Sequence, residues 1–140
     1  SRADKGTNAG LLEWSEYVLK GLKDEIEKID KLLDYKYLSK EILLPAVTFA
    51  LERKYITDIE SSILKKVINK QVVQAADIKE FFKGKADSEV SRQIRKLIDR
   101  KMLVAESERA RKYIIRFDNS YLLRGIINSL GARGFLPLNE

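Results

Sequence analysis

A chain of 140 residues, 44% hydrophobic and 34% charged, is long enough for one domain, or for two small ones sharing a core. No apolar run approaches the roughly 20 residues of a membrane-spanning helix, and the first residues are polar and small rather than signal-like. Cysteine and histidine are both absent, which fits a reducing cytoplasm and excludes disulfides, thiolate or histidine–zinc sites, Ser–His triads and histidine phosphotransfer for this chain by itself.

The net charge of +6 is unevenly spread. Residues 1–70 hold 13 Lys/Arg against 12 Asp/Glu, whereas residues 71–140 hold 14 against 9, a net +5. A basic second half favours a polyanionic partner.

The only methionine is Met102, so residues 1–10 are expected to be disordered, as a vector-derived remnant or the frayed end of a longer protein. Leu11, Trp14, Val18, Leu22, Ile26, Ile29 and Leu33 recur at three- and four-residue steps and predict an amphipathic helix over 11–33. Residues 34–38 read as a connector. Ser39 can cap a second helix over 40–54; Pro45 implies either a kink or a true start at Leu44. Residues 11–56 together read as a helical connector or the end of a preceding domain.

Thr57 and Glu60 have the T-x-x-E spacing of a capping box, in which each residue's side chain satisfies a free backbone N–H of the other. Ile59, Ile63, Leu64, Val67 and Ile68 then form a buried stripe, and Val72–Val73 can add an edge strand. A short helix over 75–82, expected to bury Ala76, either Ile78 or the stem of Lys79, and Phe82, turns at Gly84. The next helix, capped by Asp87 or Ser88, carries Val90, Ile94, Leu97, Ile98 and Lys101 on one side and Arg92, Arg95, Lys96 and Asp99 largely on the other. Residues 103–108 and 111–117 alternate in hydrophobicity around a basic tip and predict a hairpin. Asn119 caps a last helix over 120–130, with Leu122, Leu123, Ile126, Ile127 and Leu130 apolar. Gly131 and Gly134 end it, and Phe135, Leu136 and Pro137 fold back on the core.

The expected fold is therefore mainly α with a small β-hairpin wing. A winged helix-turn-helix over 57–117 follows two amphipathic helices and precedes a C-terminal helix and tail, 118–140. For DNA binding, such a fold would use Ser88, Ser91, Arg92, Arg95 and Lys96 against base edges and phosphates, with Arg109, Arg111 and Lys112 on the wing. The competing expectation for Arg92, Arg95 and Lys96 is a solvated face paired with Glu89 and Asp99. Trp14, Tyr17, Val18, Tyr121 and Phe135 are candidate interface residues, and a homodimer is a second candidate partner. No carboxylate cluster has metal-ligand or acid–base spacing, so neither metal nor cofactor is expected, and no catalytic residue is assigned.

GLLEWSEYVLKGL at 10–22, YLSKEILLPAVTFALERKYIT at 37–57 and NSYLLRGIINSLGARGFLP at 119–137 resemble the region following the catalytic core in multidomain bacterial Fic proteins. That resemblance implies a C-terminal accessory part of a protein AMP-transferase, whose catalytic HPFxxGNGRxxR motif has no counterpart here. It implies a DNA-binding or regulatory role beside an N-terminal catalytic domain. A protein-interaction or dimerisation module and a stand-alone transcriptional regulator are the alternatives.

Overall fold

The computed structural model describes residues 8–118 and 120–136. It is mainly helical with one small antiparallel hairpin. The chain divides into two compact units between Leu38 and Ser39.

The first unit is dominated by α1, Asn8–Leu33. The helix thus begins three residues earlier than the apolar stripe predicts. Asp34 ends the run and accepts a hydrogen bond from the Lys36 N–H at 3.0 Å, starting the helical turn α2, Tyr35–Tyr37. The expected connector at 34–38 is therefore partly helical. Along α1, Leu11, Trp14, Leu22, Ile26, Ile29 and Leu33 are all exposed, so the stripe is apolar without being buried.

The larger unit begins at the second residue of a widened π-helical turn, Leu38–Leu43, that leads into α3, Leu44–Glu52. Pro45 sits in the first turn of α3. It lacks an N–H and its ring crowds the carbonyl four residues back, so a regular ladder cannot pass through it and the preceding turn loosens. The structure thus combines the two alternatives: the α-helix proper starts at Leu44, but the backbone ahead of it is already helical in the wider π form, and Ser39 lies within that turn and does not cap a helix there. Lys54 adopts a left-handed φ of 61° past the end of α3, where its N–H bonds Leu51 O and that of Tyr55 bonds Ala50 O, both at 2.9 Å. This is the paired closure that caps a helix C-terminus.

The central helix α4, Asp58–Lys70, opens on the expected capping box: Thr57 N–H donates to Glu60 Oε1 at 2.9 Å and Glu60 N–H to Thr57 Oγ1 at 3.2 Å. Ile63, Leu64, Val67 and Ile68 are buried, whereas Ile59 is only half-buried. A four-residue helix α5, Ala75–Ile78, continues as a 3-10 turn, Lys79–Phe82. Ile78 and Phe82 enter the core from one side; Ala76, two residues ahead of Ile78 and about 200° round the helix, is exposed rather than buried. Gly84, with φ of 77°, turns the chain into α6, Asp87–Asp99.

The N-cap of α6 differs from expectation. Ala86 occupies it without a side-chain bond, while Asp87 and Ser88 lie inside the first turn and the Asp87 carboxylate pairs with Lys79 at 2.8 Å. Val90, Ile94 and Leu97 are buried and Ile98 half-buried. Lys101 is beyond the helix, left-handed and exposed, not part of its apolar side. Its N–H and that of Met102 close the helix onto Ile98 O and Leu97 O, each at 2.9 Å.

Strands β1, Leu103–Ala105, and β2, Tyr113–Ile115, pair with Leu103 opposite Ile115 and Ala105 opposite Tyr113. Both strands are shorter than the alternation suggests. Val73 adds a bridge to the other edge of β2, exchanging N–H···O bonds of 3.0 and 2.8 Å with Tyr113. The spatial order is therefore Val73, β2, β1.

The last helix, α7, Ser120–Ala132, packs along α3 and runs through Gly131; Gly134, with φ of 81°, ends it. An added Cβ on Gly125 would stand 2.6 Å from Ala46 O, so these helices cross in near backbone contact. Leu122 and Ile126 are buried, but Leu123 and Ile127 are exposed. Phe135 is half-buried and Leu136 exposed. Asn119, Pro137 and residues 1–7 lie outside the described residues.

Because α3 packs on both α4 and α7, residues 39–56 are part of the larger unit's core. Among the described residues no helix is long and apolar enough to cross a membrane.

Candidate nucleic-acid interface

The outward side of α6 follows directly from its buried side. Once Val90, Ile94 and Leu97 are fixed in the core, the 3.6-residue period leaves Ser88, Ser91, Arg92, Arg95, Lys96 and Asp99 exposed. The hairpin follows within three residues of α6, so its connecting loop lies beside that helix. Arg109 supplies a left-handed φ of 65° in this loop, and the Glu106 N–H closes on Lys112 O at 2.8 Å.

A groove of about 570 Å³ runs between α6 and the hairpin. Ser91 and Arg95 border it from α6, Arg111 from the loop, and Gln74 from the segment entering α5. Ile94, Ile98, Ala105 and Tyr113 contribute its apolar lining. Three of the expected contact residues, Ser91, Arg95 and Arg111, are thus brought together. Ser88, Arg92 and Lys96 are exposed on α6 outside this groove, and Arg109 and Lys112 are exposed on the loop.

The cations are not equivalent. Arg92 donates from Nη2 to Glu89 Oε1 at 2.7 Å and from Nε to Glu89 Oε2 at 3.0 Å. Gln93 Nε2 adds a third bond to the same carboxylate at 3.2 Å. These donors, Arg92 first, hold the Glu89 carboxyl down to about 2. The expectation of a locally paired face therefore holds for Arg92. Arg95, Lys96, Arg109, Arg111 and Lys112 have no ion-pair partner among the described residues, and neither does Asp99, which offsets part of their charge.

Lys83 and Lys85 flank Gly84 in the turn before α6 and are also exposed; Lys83 has no ion-pair partner among the described residues, while the charge of Lys85 helps to hold the Glu89 carboxyl low. Sequence reasoning passed over them, although a Lys-Gly-Lys turn between two helices was signal enough.

The interface candidates fall in different units. Trp14 and Tyr17 are exposed and Val18 half-buried on α1. Tyr121 is engaged within its own unit: its ring lies 5.4 Å from that of Tyr55, and the Arg100 guanidinium stacks 5.2 Å from its centroid. Phe135 donates its N–H to Leu130 O at 2.9 Å. Among the described residues no group of His, Cys, Asp and Glu is arranged to hold a metal ion.

Neither protein-family models nor curated proteins yield a match to this sequence.

Proposed function

We propose that the larger unit is a winged helix-turn-helix that binds double-stranded DNA, with α6 entering the major groove and residues 106–112 as the wing. The carrying observation is the strand order Val73, β2, β1 behind α4, α5 and α6, with Arg95 and Arg111 facing one groove from helix and loop. A helix presented beside a hairpin is the arrangement such modules use to reach base edges and the adjoining backbone together. The five unpaired cations of α6 and the loop supply phosphate neutralisation, and their salt dependence is the diagnostic. In the light of the resemblance to Fic proteins, the module serves as a non-catalytic regulatory portion that places an AMP-transferring enzyme on DNA.

Titration of a labelled duplex by fluorescence anisotropy at several salt concentrations tests this. Affinity falls steeply with salt, with a log–log slope approaching about −4.5 if all five cations contact phosphate. The triple variant Arg95→Ala/Arg111→Ala/Lys112→Ala loses most of that slope. Absence of salt-sensitive binding at low ionic strength refutes the proposal.

A protein-interaction role has one observation in its favour: the exposed stripe of Leu11, Trp14, Leu22, Ile26, Ile29 and Leu33 on α1. Contiguous exposed apolar surface of this kind marks contact sites. A concentration-dependent dimer in sedimentation, abolished by Leu22→Glu/Ile29→Glu, would establish it.

A further inference from the structure

Arg92 is set apart from every other cation on the outward side of α6 by its fork-to-fork bond with Glu89. Two parallel bonds fix the guanidinium in one plane and leave the Nη1 donors, and one on Nη2, free for another partner. The pair is not hidden: the Arg92 side chain is 64% exposed and that of Glu89 31%. It occupies the first two turns of α6, the part of a groove-entering helix that reaches base edges.

The pair is also close to neutral, and this decides what it can bind. Drawing a phosphate onto Arg92 would bring an anion up to the Glu89 carboxylate, and counterion release would gain little from a charge already neutralised. A base edge carries no net charge, so that repulsion is absent. Guanine presents O6 and N7 side by side as acceptors, a geometry that a planar, pre-oriented guanidinium matches. The unpaired Arg95, Lys96 and Arg111 have the opposite character, exposed and uncompensated, suited to phosphate.

Building on the DNA-binding proposal above, we infer that Arg92 is the base-reading residue of α6, donating to guanine in the major groove, and that Glu89 is its positioning residue. The cations around the groove then bind backbone without reading sequence. Affinity and specificity are thereby carried by different arginines one helical turn apart.

Selection of binding sites from a random duplex library, followed by salt titrations on the selected site, separates these roles. The wild-type chain enriches a guanine at one position and discriminates against other bases there by about tenfold or more. Arg92→Lys, which keeps the charge but not the fork, loses that preference with an unchanged salt slope. Glu89→Gln weakens the preference and steepens the slope, because Arg92 becomes free for phosphate. Arg95→Ala reduces the slope by about 1 and keeps the preference. The inference is overturned if Arg92→Lys retains the guanine preference, or if Arg92→Ala lowers the slope as Arg95→Ala does. Salt-sensitive binding with no base preference also overturns it, while leaving the DNA-binding proposal intact. Absence of any salt-sensitive binding removes that proposal itself.

Discussion

Arg100 Nη1 donates to Glu60 Oε2 at 2.6 Å, tying the C-terminus of α6 to the N-terminus of α4 across 40 residues of sequence. Arg100 Nη2 also donates to Tyr55 O at 2.6 Å, and its guanidinium lies over the Tyr121 ring. Glu60 is 1% exposed, with both carboxylate oxygens engaged, one by Arg100 and one by the Thr57 N–H. One buried acid therefore serves a helix cap and an interhelical ion pair together.

Arg100→Ala leaves that carboxylate buried without a counter-charge. Loss of one partner from a buried pair costs about 3–5 kcal/mol, so the urea midpoint falls sharply. Glu60→Gln/Arg100→Met removes both charges while preserving an acceptor for the Thr57 N–H, and recovers most of the loss. Equal destabilisation by the two variants would show that the pair's charge is irrelevant.

The same acid sets an acid limb of stability. Burial pushes the Glu60 carboxyl up, but the Thr57 N–H and the Arg100 guanidinium together outweigh it and hold it below its ordinary value of 4.5. A carboxyl depressed in the folded state contributes stability that is fully present above the unfolded pKa and lost as pH falls through the folded one. Urea melts between pH 7 and pH 3 should therefore be level down to about 4.5 and weaken below it. Glu60→Gln flattens part of that decline; the remainder belongs to Asp77, Glu89 and Asp118, whose carboxyls are also held low by basic partners. An unchanged decline in Glu60→Gln would contradict this account.

At the crossing of α3 and α7, Gly125→Ala places a methyl against main-chain atoms that have no rotamer to escape into. The helices must part, at a cost of about 1–3 kcal/mol, visible as a lowered Tm. Gly21→Ala, whose added Cβ meets nothing within 4 Å, should be neutral or slightly stabilising in the same assay.

Local features were legible in the chain from the start. The Thr57/Glu60 box, the buried stripe of α4, the turn at Gly84 and the basic loop between two strands all depend on residues a few positions apart. Backbone hydrogen bonding and helical or strand periodicity act over that range, so sequence spacing encodes them. The start of α6 was misread because Asp87 and Ser88 are good caps by type, yet the Asp87 carboxylate is drawn to Lys79 instead. Ala76 was misread because an alanine fits a core or a surface equally well.

The remaining decisions were made in three dimensions. Sequence by itself determined the helices, the hairpin, the absence of histidine chemistry and the basic second half. The pairing of Arg92 with Glu89, three positions apart on one helix, was legible in the sequence; only the tertiary structure decided that Arg100 is a structural ion-pair partner and that Arg95 and Arg111 meet across one groove. A cation's role depends on which charges the fold brings within a few ångströms of it, and residues tens of positions apart carry no periodic signal of that encounter.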